Sequence, residues 1–204
     1  MKKDILICGV GGQGTVLASK LIAAAAMAEG NIVHSAETIG MAQRGGSVTS
    51  HVRIGEAYSP LIPKGKCDMI ISFEPAEAVR NLCYLKKDGL VIVNDAPVKP
   101  TTESLQETGY DGTDMIAYLQ KKCRVIVVDG QQLCAGFGSN KYLNVILLGV
   151  AAGSGALDIS KEAIQKEIEV RVPSKFVENN RRAFEKGYVY ASGQAQEMNE
   201  ADRD

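Results

Sequence analysis

No two of the five cysteines (Cys8, Cys67, Cys83, Cys123 and Cys134) form a C-x-x-C pair, and from such spacings neither a structural zinc site nor an iron–sulfur cluster can be built. They read instead as reduced thiols, most of them among apolar neighbours and behaving as small hydrophobic groups. Histidine is as scarce. His34 and His51 are the only two, each inside a strand pattern, which leaves no metal-spaced pair and no Ser-His-Asp order around a nucleophile elbow. Charge of one sign is also missing: 23 basic and 24 acidic residues give a net charge of -1, so no broad field draws in nucleic acid or an anionic membrane. The most lipid-like stretch, YLNVILLGVAAGSGAL, is broken by Gly149, Gly153, Ser154 and Gly155 and falls short of the ~20 residues that a span requires. It reads as a core helix. No charged segment followed by an apolar run and a small-residue cleavage site opens the sequence, and a cytoplasmic location is expected.

What is present suits one domain. At 204 residues and 45% hydrophobic content, such a chain buries roughly 70% of its unfolded surface. DILIC, CDMIISF, GLVIVND and CRVIVVDG are continuously apolar runs of strand length, and helical patterns follow several of them, as in a parallel sheet covered on both faces. GTVLASKLIAAAAMAEG predicts a helix ended by Gly30, and NIVHSAE a second strand. SVTSHVRI alternates Val48, Ser50, Val52 and Ile54 against Ser47, Thr49, His51 and Arg53, which suits an antiparallel strand with one polar face. EPAEAVRNLCYLKK predicts a helix with Pro75 at its start and lysines at its end. TDMIAYLQKK predicts another, and three more cover 140–153, 160–171 and 174–186, with Ser174 as an N-cap. The expected fold is α/β and Rossmann-like: a mostly parallel sheet with helices on both faces and a helical C-terminal region. Residues 1–190 form the domain, and the polar tail 191–204 is expected to lack structure.

Two loops concentrate the chemistry. Gly9, Gly11 and Gly14 fit G-x-G-x-x-G between the first strand and the first helix, where unpaired N–H groups and the helix dipole favour an anion. Glu37 follows about 20 residues later, where a dinucleotide site places a carboxylate on a ribose. The alternative is that these glycines only let the helix pack tightly under the sheet. The second loop lies in ETIGMAQRGGSV, residues 37–48, with Gln43, Arg44, Gly45 and Gly46. A guanidinium flanked by glycines can approach a phosphate or carboxylate bidentately, or it can tie the loop to a neighbouring carboxylate. If the second strand lies beside the first, this loop emerges next to the glycine turn. Asp95 and Asp129 follow strand ends, where turn and capping duties are commoner than catalysis.

GVGGQG, ETIGMAQRGG, DMIISFEPAEAVR, GLVIVND and ENNRRAFEKGY, in that order and spacing, resemble the gamma subunits of the 2-oxoacid:ferredoxin oxidoreductases. Within that family the chain is most similar to the small, separately encoded beta subunits of the indolepyruvate enzymes. The resemblance spans about residues 3–190. It implies a heteromeric enzyme that decarboxylates a 2-oxoacid, for these relatives an arylpyruvate, on thiamine diphosphate with magnesium. Electrons then pass through iron–sulfur clusters to ferredoxin, and an acyl-CoA is released. With no cluster-spaced cysteines here, the redox centres and the thiamine site are expected on a larger partner subunit. This chain then holds no cofactor of its own, meets ferredoxin only indirectly, and is inactive alone. On this resemblance Gly11, Gly12, Gln13 and Gly14, with Arg44, Gly45 and Gly46, match the family's two glycine loops, and together with Gly9, Glu37 and Gln43 from the patterns above they are the candidates for contacting CoA, another anion or the partner. YLNVILLGVAAGSGAL is a further candidate partner contact, since a helix apolar on all sides must be covered. Two other functions fit the glycine turn alone: a free-standing NAD(P)-dependent dehydrogenase, which lacks an identifiable substrate domain here, and an ATP-dependent adenylating enzyme, which usually carries C-x-x-C zinc ligands.

Overall fold

In a computed structural model describing residues 1–39, 46–98 and 109–201, β1 (Lys3–Val10) is apolar on both of its faces. Ile5 and Ile7 point into one core layer, and Leu6 and Cys8 into the other. Side chains alternate across a strand, so a continuous apolar run demands cover on both sides. One side is covered by α1 (Thr15–Ala28), α5 (Leu143–Gly153), α6 (Lys161–Arg171) and α7 (Ser174–Ala201). The other is covered by α2 (Pro75–Asn81) and α3 (Thr113–Lys122).

The remaining strands are β2 (Val33–Ile39), β3 (Ser47–Ile54), β4 (Cys67–Ser72), β5 (Leu85–Asn94) and β6 (Arg124–Val128). They form one sheet in the order β2-β3-β1-β4-β5-β6. β1, β4, β5 and β6 are mutually parallel, whereas β3 runs antiparallel to both β1 and β2. The expected α/β fold and the antiparallel character of β3 are therefore found. The second strand, however, does not lie beside the first. β3 pairs with β1 along its whole length, from Lys3 opposite Ile54 to Val10 opposite Ser47, and β2 becomes the sheet edge.

Three other elements differ from the sequence pattern. The helix opened by Pro75 stops at Asn81 and a 3-10 turn at Leu82–Tyr84, so Lys86 and Lys87 lie in β5 rather than at a helix end. A short helix, α4 (Gly130–Cys134), follows β6 and starts at the N-cap Asp129; its five residues are too few for a periodic signal. α7 continues to Ala201 where the tail was expected to lack structure, because Ala, Gln, Glu and Met are good helix formers whether or not they are buried. α5 is enclosed by the chain's own helices and strands, with Val145, Ile146, Leu147, Leu148 and Val150 fully buried. The apolar segment proposed as a partner contact is thus covered by α7 instead. No helix among the described residues is long and apolar enough to cross a membrane.

The polar face of β3 is engaged as well. Arg53 holds Asp4 through two bonds, Nε to Oδ1 at 2.8 Å and a terminal nitrogen to Oδ2 at 3.1 Å, and also donates to the carbonyls of Ser59 and Leu61. Next to it, His51 Nδ1 accepts the Ile62 N–H at 3.2 Å. Burial, and then the Arg53 charge, lower the His51 pKa from its ordinary 6.5. The unfolded chain therefore binds this proton more readily. The stability that neutral His51 contributes is complete above pH 6.5 and is lost as pH falls through the folded-state pKa. His51→Asn offers a comparable acceptor without a proton to gain. Melting temperatures compared between about pH 7.5 and about pH 5.5 should fall less steeply for the variant than for the wild type.

Candidate functional site

The parallel strands end along one edge of the sheet, and a chain of side-chain amides ties those ends together. Gln13 Oε1 accepts the Val10 N–H at 2.7 Å, and its Nε2 donates to the Phe73 carbonyl at 3.1 Å. Asn94 Nδ2 donates to the same carbonyl at 3.2 Å, and Asn94 Oδ1 accepts the Gly130 N–H at 3.2 Å. Two carboxamides thereby connect β1, the residue after β4, β5 and the start of α4. The carboxamide of Gln13 is committed to backbone on both sides. Gly9 faces the same strut: a Cβ there would lie 2.6 Å from Gln13 Oε1 and 2.9 Å from Phe73 Cβ.

Above this strut the glycine turn opens α1. Gly14, at φ 85°, is the N-cap, with no side-chain cap and no acidic residue in the first turn. A side chain at Gly14 would meet Asn144, whose Nδ2 lies 2.6 Å from the position of a Cβ. Gly12, Gln13, Gly14 and Asn144, together with Asn94, Gly130, Gln131 and the 139–143 segment, enclose a cavity of about 550 Å³, within the usual range for ligand pockets. Cys134 also lines it.

Gly46, the last residue of the second glycine-rich stretch before β3, reaches the same place by an unexpected route. Because β3, not β2, neighbours β1, the residue that begins β3 is brought to the turn, and Gly11 N–H donates to the Gly46 carbonyl at 2.9 Å. Gln43, Arg44 and Gly45 lie outside the described residues. Glu37 does not join the glycines: it sits in edge strand β2, opposite Ser50, and borders a separate groove with Lys20 and Arg171. The carboxylate of a dinucleotide fingerprint requires the second strand adjacent to the first, so the half of that pattern supplied by Glu37 is not assembled here.

Buried carboxylates stand behind both loops. Glu74 caps α2 by accepting the Glu77 N–H at 2.9 Å, and it accepts the Tyr110 hydroxyl. Glu77 accepts Ser47 Oγ at 2.6 Å and an Arg80 guanidinium nitrogen at 2.7 Å. Burial, followed by the bond to Glu74, raises the Tyr110 pKa, so the phenol stays protonated and donating. The first turn of α2 thus moors Ser47, at the start of β3, and Tyr110. Asp129 accepts the Gln132 N–H, a capping duty, and burial and then the Asp129 carboxylate raise the pKa of Asp95. Among the described residues, no three His, Cys, Asp or Glu side chains are placed to hold a metal ion. Burial pushes the thiols of Cys8 and Cys67 up to about 12, while Cys83 is exposed.

Asn94, Asn144, Glu74 and Tyr110 were not among the residues singled out from sequence. A single Asn or Glu next to a strand or helix end has no spacing that separates it from an ordinary cap.

Residues 4–190 match the family model described as pyruvate ferredoxin/flavodoxin oxidoreductase. The chain is 40% identical over 193 residues to the indolepyruvate oxidoreductase subunit IorB of Archaeoglobus fulgidus, covering 94% of this chain and 96% of that one. It is 38% identical to the subunit of the same name from Thermococcus kodakarensis, over 90% and 93% of the two chains. Among solved structures it resembles the gamma subunit of a keto/oxoacid ferredoxin oxidoreductase from Geobacter sulfurreducens, with a TM-score of 0.72, 25% identity, and coverage of 94% and 99%.

Proposed function

The chain belongs to the pyruvate ferredoxin/flavodoxin oxidoreductase family, and from that membership we propose that it is the small subunit of a 2-oxoacid:ferredoxin oxidoreductase whose substrate is an arylpyruvate such as indole-3-pyruvate. The complex would convert the 2-oxoacid, CoA and oxidised ferredoxin into acyl-CoA, carbon dioxide, a proton and reduced ferredoxin. The observation that carries this reading is similarity along nearly the whole chain to subunits named for indolepyruvate.

The donor set supports an accessory role. A cubane cluster needs four convergent thiolates. Here the thiols are scattered, three of them buried, and the described residues do not fit such a group. In this reading thiamine diphosphate, magnesium and the clusters reside on a larger partner, where thiamine supplies the decarboxylation chemistry. This chain contributes backbone and amides at the rim of the shared chamber. Its glycine turn, joined to Gly46 through the Gly11 N–H, would seat the anionic part of CoA or of the substrate, or a segment of the partner. Arg44 is the nearest cation in sequence for such an anion.

Anaerobic affinity capture of the tagged chain from its native host tests the assignment. A larger subunit with iron–sulfur absorbance should co-elute in a fixed ratio and contain thiamine diphosphate. Elution of the chain without any such subunit contradicts it.

A further inference from the structure

β2 is an outer strand of the sheet, and the direction of its backbone groups follows residue by residue. Gly55 N–H donates to the Ile32 carbonyl at 2.8 Å, and in an antiparallel pair the residues that exchange bonds alternate along the strand. In the register that sets Val33 opposite Ile54, His34, Ala36 and Thr38 therefore bond β3. Val33, Ser35, Glu37 and Ile39 aim their N–H and C=O groups away from the sheet.

Edge strands are normally blunted by proline, lysine, a bulge, a short length or a covering element. The opposite edge follows that rule: β6 is only five residues long, begins at Arg124, and has its Val127 carbonyl taken by the Tyr190 hydroxyl at 3.0 Å. The β2 sequence VHSAETI has no proline, no lysine and no break in its register with β3. Beside it runs a groove lined by Ser35 and Glu37, by Lys20 and Met27 of α1, and by Arg171 of α6. Met27 is 62% exposed there. Arg171 is bonded to Glu167 at 2.7 Å, whereas neither the Lys20 ammonium nor the Glu37 carboxylate has an ion-pair or hydrogen-bond partner among the described residues.

We infer that β2 is a self-pairing edge, through which two copies of this chain join their sheets antiparallel about a twofold axis at Ala36. A second copy is the occupant that the strand's own sequence fits. With the axis at Ala36, Val33 meets Ile39 and Ser35 meets Glu37 of the other copy, so every outward-facing residue is bonded, and the small Ala36 pair takes the close position that exchanges no bonds. Centring the pair on Glu37 would instead set two carboxylates face to face. In the Ala36 register each Glu37 lies across from a Ser35 whose groove holds the unpaired Lys20, so reciprocal charge pairs close the seam, as an isologous contact requires. Paired residues share a face of the sheet, which places α1 of both copies on one side of the seam and brings each Met27 toward it.

Sedimentation velocity of the isolated full-length chain over a range of concentrations tests this independently of the subunit assignment. The wild type should sediment as a dimer and Ser35→Pro as a monomer. The Ser35 N–H makes no bond within the sheet, and proline is accepted on an edge strand whose N–H faces out, so far-UV circular dichroism should be unchanged. Glu37→Lys should weaken the dimer about tenfold or more by bringing like charges together, and adding Lys20→Glu should restore it. This exchange keeps the experiment decisive if Ser35→Pro does not fold. A dimer indifferent to both Ser35→Pro and Glu37→Lys overturns the inference. So does a wild type that sediments as a monomer, and if Ser35→Pro then also prevents capture of the larger subunit, the edge belongs to that subunit instead.

Discussion

Gly149→Val is expected to destabilise the chain by at least about 3 kcal/mol, a large part of the roughly 5–15 kcal/mol that holds a domain folded. A Cβ at Gly149 would lie 2.1 Å from the Phe184 carbonyl oxygen and 2.9 Å from the Tyr188 nitrogen, both backbone atoms of α7. The approach is reciprocal: a Cβ at Gly187 would lie 2.1 Å from the Ile146 carbonyl oxygen, and one at Gly153 2.3 Å from that of Tyr188. Three glycines thus let two helix backbones touch, and no rotamer change relieves a clash with backbone. The helices would have to separate, opening a gap among the fully buried Val145, Ile146, Val150 and Phe184. For a chain of this length the melting temperature should fall by about 6–12 °C or the protein should fail to fold. Gly136→Ala is the control, since a Cβ there meets nothing within 4 Å. A Gly149→Val protein that melts with the wild type would refute the backbone contact.

That contact also explains which parts of the molecule were readable in the sequence. Runs such as DILIC and CDMIISF declare strands covered on both faces, and TDMIAYLQKK matches α3 from Thr113 to Lys122, because periodicity is a local property. The cover over α5 is not local. YLNVILLGVAAGSGAL announces that something must enclose it, and the candidate was a partner chain. The answer lay some forty residues on, in Gly187, set to meet Ile146 and Val150. Gly149 and Gly153, one helical turn apart, were the signal for a close helix neighbour, hidden because the same glycines read as interruptions of a membrane span.

Strand order was hidden for a related reason. Nothing in NIVHSAE or SVTSHVRI says which of them pairs with β1, and β3 took that place. This exchange detached Glu37 from the glycine turn and attached Gly46 to it. The candidate site was therefore half legible. Its glycines carried a motif, whereas Asn94 and Asn144 act through single hydrogen bonds that leave no pattern.

The second large effect concerns activity. A chain of the pyruvate ferredoxin/flavodoxin oxidoreductase family whose thiols are dispersed between two core layers and the surface has no convergent ligands for an electron carrier. In the proposed function its contribution to turnover comes through completing a chamber with another subunit. Anaerobic reduction of ferredoxin, with indole-3-pyruvate and CoA as substrates, should be undetectable for the purified chain and for its larger partner assayed apart. Mixing the two should restore it, with acyl-CoA formed in proportion to electrons delivered. Turnover of the oxoacid by this chain purified alone would contradict the account.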